Sequence, residues 1–208
     1  LSPLLRMFKN IEGFGYDGNI HEQPRYQGPV YNNIAHFDHY GYMYSDEEIR
    51  QRKTERNIKL LLQEIEKNPS DPYTNYQLGK SYISSLKNND ALFYIENSYN
   101  LYNKRGRVPI FVIQDLIALY SALKLHIKCE NLCMKYIKND KKNIDIYYYL
   151  AISQNYLGKY KESIKSFERY LYLIKNYEIS TQGNNMESSL DTGQKKDIAR
   201  SEERRVGK

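Results

Sequence analysis

Residues 143–174 read NIDIYYYLAISQNYLGKYKESIKSFERYLYLI, and the reading of this stretch decides the architecture. Tyr147, Leu150 and Ala151 fall on one face at helical spacing, Gly158 and Tyr160 mark a turn, and Phe167 lies on a second helix. An earlier stretch, DPYTNYQLGKSYISSLKNNDALFYIENSYNLY (71–102), superposes on it with Leu78 on Leu150 and Gly79 on Ala151. The offset is 72 residues, or two periods of 36, and residues 106–141 supply a further helix pair with a weaker pattern.

Two helices per unit with a period near ~34 residues is the tetratricopeptide signature. The small residues let the two helices of a unit approach, and the large ones fill the gap to the next unit. The first unit carries Leu78, Gly79, Tyr82, Ala91 and Leu101 at the expected places. Two departures stand in the third: Ser163 replaces the usual Ala, and Lys175 stands where Pro is common. The expected fold is therefore mostly α, a tetratricopeptide-type α-solenoid of about three helix pairs. In this register Tyr76, Lys80, Tyr148, Ile152, Asn155 and Tyr156 would line the concave side as a groove for a peptide or protein partner. The plainer alternative makes the tyrosines half-buried packing with wet hydroxyls, in a chain that has 22 of them.

Upstream of the repeats, Ser45 followed by Asp46, Glu47 and Glu48 has the form of a capping box. Ile58, Leu61, Leu62 and Ile65 then recur at helical spacing until NPSDP ends the helix before Pro69. Ser70 or Asp71 caps the next helix, with Pro72 in its first turn. The first 45 residues differ in character. Gly and Pro are frequent, and LLRMF (4–8), YDGNIHE (16–22) and IAHFDHY (34–40) read as strands or extended pieces.

The formal net charge of +6 is mild, and the charged residues are mixed along the chain with no dense basic stripe, which argues against a nucleic-acid partner. Part of the excess lies in RSEERRVGK (200–208), which resembles the translation of a common short-read sequencing adapter. Its four basic and two acidic residues account for the difference between +6 and the +4 of residues 1–199. Cys129 and Cys133 are too few for a disulfide framework, and their four-residue spacing on one helix face suits packing better than a metal knuckle. No apolar run approaches the length of a membrane span.

RMFKN (6–10), YDGNIHEQ (16–23), HYGY (39–42) and ERNIKLLLQEIEKNPSDPYTNYQLGKSY (55–82) stand in an order that resembles the end of a bacterial family-2 glycosyltransferase carrying C-terminal tetratricopeptide repeats. The resemblance implies that the solenoid follows a short β or extended remnant of an A-type α/β catalytic domain. It implies a parent enzyme that transfers a sugar, with inversion, from a nucleotide-diphosphate donor to a peptide, protein or glycan acceptor. Its cofactor would be a divalent metal, Mn²⁺ or Mg²⁺, neutralising the leaving diphosphate. His21 would be a metal ligand, with Glu22 and Gln23 on the acceptor side or behind the ligand. Carried by the residues alone, His21 reads as a strand-end histidine with backbone partners. His36 and His39 read as structural.

The metal-binding DxD motif and the catalytic carboxylate of that family are not found in these residues, so no catalytic residue is assigned and the chain alone is expected to be inactive. The expected division is 1–44 for the catalytic-domain remnant, 45–68 for a connecting helix, 69–177 for the repeats, 178–199 for a flexible linker and 200–208 for the adapter-like tail. A cytoplasmic location and possible self-association through the repeats complete this expectation. The competing expectation is a non-enzymatic tetratricopeptide adaptor for protein–protein interaction, in which the first 45 residues are a capping extension.

Overall fold

The structure, a computed structural model, describes residues 15–17, 23–25 and 47–181 apart from 139, and the side chains of 178–181 lie outside it. Seven α-helices occupy the long described stretch: α1 (Glu47–Lys67), α2 (Pro72–Ser84), α3 (Asn88–Lys104), α4 (Ile110–Ala122), α5 (His126–Ile137), α6 (Ile144–Tyr156) and α7 (Tyr160–Thr181). Two strands of three residues each, β1 (Gly15–Asp17) and β2 (Gln23–Arg25), pair antiparallel with Tyr16 opposite Pro24. This ladder is all the β-structure among the described residues, and nothing in it identifies a glycosyltransferase sheet. The expected strands LLRMF and IAHFDHY, residues 18–22 of the third and the Ser45 cap of α1 lie outside the described residues.

The local chemistry explains where the helices begin. Asp71 caps α2 by accepting the Thr74 N–H at 2.7 Å, and Pro72 follows in the first turn, where its missing N–H costs nothing. Asn143 does the same for α6 through the Ile146 N–H at 3.3 Å. The turns within the helix pairs share one construction. Leu86, Lys124 and Gly158 each take a left-handed φ, of 59°, 58° and 73°. In each, the next residue's N–H reaches back to close the helix: Lys87 to the Tyr82 carbonyl, Leu125 to Tyr120 and Lys159 to Gln154, at 2.8–3.0 Å.

These turns fix the repeat. The first helices of the three pairs, α2, α4 and α6, are each 13 residues long and start at 72, 110 and 144. The steps are thus 38 and 34 residues rather than two of 36, because α3 has 17 residues where α5 has 12. Aligned this way, Leu78, Leu116 and Leu150 are equivalent and all buried.

Their neighbours show why the middle pair hides its pattern. Across each pair a small residue faces a large one. In the first pair Gly79 faces Ile95, so close that a Cβ at 79 would lie 2.6 Å from Ile95. In the third, Ala151 takes the place of Gly79 and Phe167 the place of Ile95, both buried. In the second the large residue has changed sides: buried Ile117 stands on the first helix and buried Cys133 on the second. Cys129 fills the place of Ala91 and Ser163. Its thiol approaches the Ile117 carbonyl at 3.7 Å, as the Ser163 hydroxyl donates to the Ala151 carbonyl at 2.9 Å. The Cys133 thiol is held protonated by its hydrogen bond with Cys129 and by burial.

The core runs through all three pairs. Its main body joins Ala91, Ile95, Val112, Leu116, Ile117 and Ile146, and a second cluster around Phe167, Tyr170 and Ile174 seats α7. Each such large side chain contributes about 1.5–3 kcal/mol on burial. α1 packs on α2 from the N-terminal side, burying Leu61, and the Arg50 guanidinium donates to the Ser84 carbonyl at 3.2 Å.

Candidate interaction groove

The first helices of the pairs touch one another directly. The Tyr76 ring of α2 packs on Phe111 of α4 at 4.7 Å, while α3 and α5 meet through long side chains such as Lys128 to Glu96 at 3.0 Å and Lys135 to the Tyr99 hydroxyl at 3.0 Å. The first helices α4 and α6 also pack directly on each other, and we term the face that α2, α4 and α6 share the inner face.

On this inner face Tyr76 and Lys80 of α2 converge on one oxygen of Asp115 from α4. The Tyr76 hydroxyl donates at 2.7 Å and the Lys80 ammonium lies 3.0 Å away. Burial, followed by the hydrogen bond to the Asp115 carboxylate, pushes the Tyr76 phenol well above its usual range, so it remains a donor. Asp115 was not singled out from the sequence, yet it carries a signal: it is the one charged residue in IFVIQDLIALYSA.

Beside this junction, α1 and α2 enclose a groove of about 370 Å³ lined by Thr54, Asn57, Tyr76, Gln77, Lys80, Ser81 and Ser84. Three hydroxyls in it are already committed as donors to their own helices: Thr54 to the Arg50 carbonyl at 2.9 Å, Ser81 to Gln77 at 3.0 Å and Ser84 to Lys80 at 3.2 Å. Their oxygens therefore face the groove as acceptors. The Gln77 amide and the Asn57 N–H groups add donors, and Gln77 adds an acceptor. A second hollow of about 200 Å³ shares Thr54 and Ser84 with the first and ends at Leu86 and Lys87. Leu86 is 82% exposed.

The six residues expected to line one groove do not share one. Tyr76 is buried and Lys80 half-buried, both at the groove just described. Tyr148 and Ile152 are half-buried against the Phe167–Tyr170 cluster, with the Tyr148 and Tyr170 rings 5.5 Å apart. Asn155 is buried. Tyr156 is 69% exposed and stacks on His126 of α5 at 4.4 Å with the rings nearly parallel. Thr54, Asn57 and Gln77 went unnoticed because a polar residue on a helix carries no periodic signal. His21 and Glu22 lie outside the described residues, as does the side chain of Gln23 in β2. Among the described residues no group of three or more His, Cys, Asp or Glu side chains is placed to hold a metal ion.

The paired helices, their shared turns and their continuous core define a tetratricopeptide-type helical repeat. Solved structures with this fold are similar along most of the chain. A MamA structure labelled MSR-1 is 18% identical with a TM-score of 0.51, covering 80% of this chain and 99% of that one. MamA from Desulfovibrio magneticus RS-1 is 14% identical with a TM-score of 0.53, covering 77% and 90%. YrrB, described as a TPR protein with an unusual peptide-binding site, is 12% identical with a TM-score of 0.53, covering 74% and 82%. At these identities the likeness establishes the fold alone. No protein-family model and no curated relative matches the chain. No described helix is long and apolar enough to cross a membrane.

Proposed function

We propose that this chain is a protein-interaction module that holds an extended peptide segment between α1 and α2. The observation that carries this reading is the groove of about 370 Å³, whose wall offers hydroxyl acceptors from Thr54, Ser81 and Ser84 and amide groups from Asn57 and Gln77. An extended peptide presents an N–H and a C=O at every residue, and such a wall satisfies both. The described peptide-binding site of the similar YrrB supports the same use of the fold. Selection of a random displayed-peptide library on the full chain tests it. The expected result is an enriched family of peptides that Asn57→Ala with Gln77→Ala no longer retains; equal retention by that variant overturns the reading.

A second reading keeps the transferase parent, with a nucleotide-sugar donor and a divalent metal near His21. It is carried by the order of RMFKN, YDGNIHEQ, HYGY and RNI. Extending the reading frame upstream tests it: an α/β segment with a DxD motif is expected, and further repeats or a start codon just before Leu1 overturn it.

A further inference from the structure

Leu86 is a side chain that the fold does not explain. It stands in the α2–α3 turn with a left-handed φ of 59°, and it is 82% exposed. A Cβ makes that backbone conformation unfavourable, and contact with water makes the leucine unfavourable a second time. The equivalent turn positions avoid the second cost. Lys124, with a φ of 58°, carries a charge that favours exposure, and Gly158 has no side chain at all. No other large apolar side chain among the described residues is as exposed as Leu86. The turn itself requires neither the size of Leu86 nor its apolar character.

Leu86 lines the hollow of about 200 Å³ between α1 and that turn. Ile58 of α1, half-buried, is the other apolar residue in the lining. Thr54 and Ser84 line both this hollow and the groove of about 370 Å³, so the two form one continuous trough. The groove is walled by hydroxyls and amides, and the two aliphatic side chains stand at the Leu86 end. The trough is also electrically balanced. Glu47 pairs with Arg50, Asp115 answers Lys80, and Glu55 and Lys87 add one charge of each sign. Such a balance matches an uncharged occupant, because a charged one would lose its water with no net counter-charge to meet it.

We infer that the peptide held between α1 and α2 continues past Ser84 and seats an apolar side chain against Leu86 and Ile58. This rests on the reading of the groove as a peptide site and adds its selectivity. The ligand is an uncharged extended segment with a leucine-like residue at one end, and Leu86 is the residue that selects it. Main-chain hydrogen bonds along a polar wall hold any extended sequence, whereas a hollow that takes one side chain chooses among them. Tyr76 and Ser84 are eight residues apart on α2, about 12 Å along its axis, and an extended segment of about four residues spans that length. The apolar residue therefore follows an uncharged run of about four.

The test is selection of a random displayed-peptide library on the full chain, then fluorescence anisotropy of the selected peptide with the wild type and with Leu86→Lys. Lysine already occupies the equivalent turn position at 124, so the variant keeps the turn, and an unchanged Tm checks this. The expected peptides share one apolar position beside uncharged residues. Leu86→Lys should weaken their binding at least about tenfold, as should serine in place of the apolar residue of the peptide. Both changes together should weaken it little more than either alone, because they remove the same contact. The control Lys124→Leu, away from the hollow, is expected to bind as the wild type does. Peptides that lack an apolar position, or that Leu86→Lys binds equally well, overturn the inference; if Asn57→Ala with Gln77→Ala still loses them, the groove stands without the apolar seat. Peptides lost by Leu86→Lys but retained by Asn57→Ala with Gln77→Ala support the seat and overturn the polar groove. No enrichment overturns both, and a dimer that Leu86→Lys abolishes would then assign Leu86 to a second copy of the chain.

Discussion

Gly79 and Ile95 approach so closely that a Cβ at 79 would meet both Cγ1 and Cδ1 of Ile95 at 2.6 Å, with the Ala91 carbonyl at 3.3 Å. Alanine would gain about 1 kcal/mol of helix propensity over glycine, but overpacking costs about 1–3 kcal/mol. Gly79→Ala is therefore expected to lower stability by about 1 kcal/mol. Gly79→Ala combined with Ile95→Val should recover part of the loss, measured by denaturant titration. A single variant more stable than the wild type would show that α2 and α3 separate at little cost.

The shared turn makes a second prediction. A left-handed conformation costs a non-glycine residue roughly 1–2 kcal/mol, and Gly158 alone among the three equivalents avoids it. Leu86→Gly and Lys124→Gly should each stabilise the chain by about 0.5–1 kcal/mol, and Gly158→Leu should destabilise it by about 1 kcal/mol. Thermal melts of the three variants check the signs. Leu86→Gly also removes an exposed leucine at the mouth of the smaller hollow, so a peptide that uses that hollow should bind it less well.

Asp115 serves Tyr76 more than Lys80. The ion pair is partly solvated, with Lys80 43% exposed, and contributes little. Tyr76 is buried and its hydroxyl half-buried, and Asp115→Ala would remove that hydroxyl's acceptor at a cost of about 1 kcal/mol. In the Asp115→Ala background, Tyr76→Phe should then be nearly neutral or stabilising, although it destabilises the wild type. A double-mutant cycle measures this coupling, and additivity of the two changes would refute it.

His126 gives a pH prediction. Its pKa is lowered by burial and then by the Lys124 charge, and its Nδ1 is buried without a partner, so a second ring N–H would have nothing to bond. The folded pKa therefore lies below the unfolded value near 6.5. Above that value both states are neutral and nothing is lost. As pH falls through it, the unfolded chain takes the proton first and stability declines, until pH passes below the folded value. The difference in Tm between pH 7.5 and pH 5.5 should be smaller in His126→Gln than in the wild type. An equal difference would assign the acid loss elsewhere.

The helix pairs were legible because burial on one helix face repeats in the sequence as Leu78, Leu150, Ala151 and Phe167. The middle pair was less so. Only the facing helix shows that Ile117 and Cys133 exchange the large and small roles of Gly79 with Ile95, and a one-dimensional comparison sees two mismatches where the structure has one conserved volume. The groove was barely legible. Tyr76 and Lys80 were singled out, but whether a tyrosine faces solvent or a neighbouring carboxylate depends on Asp115, 39 residues away.

By itself, then, the sequence determined the local terms: a cap at Ser70 or Asp71, Gly158 as a turn residue, paired helices and a repeating apolar stripe. These follow from interactions within a few residues. The tertiary structure alone decided the steps of 38 and 34 and the division of Tyr76, Tyr148 and Tyr156 among separate environments. Those depend on which side chains meet across packed helices, and such distances are not written in the order of the chain.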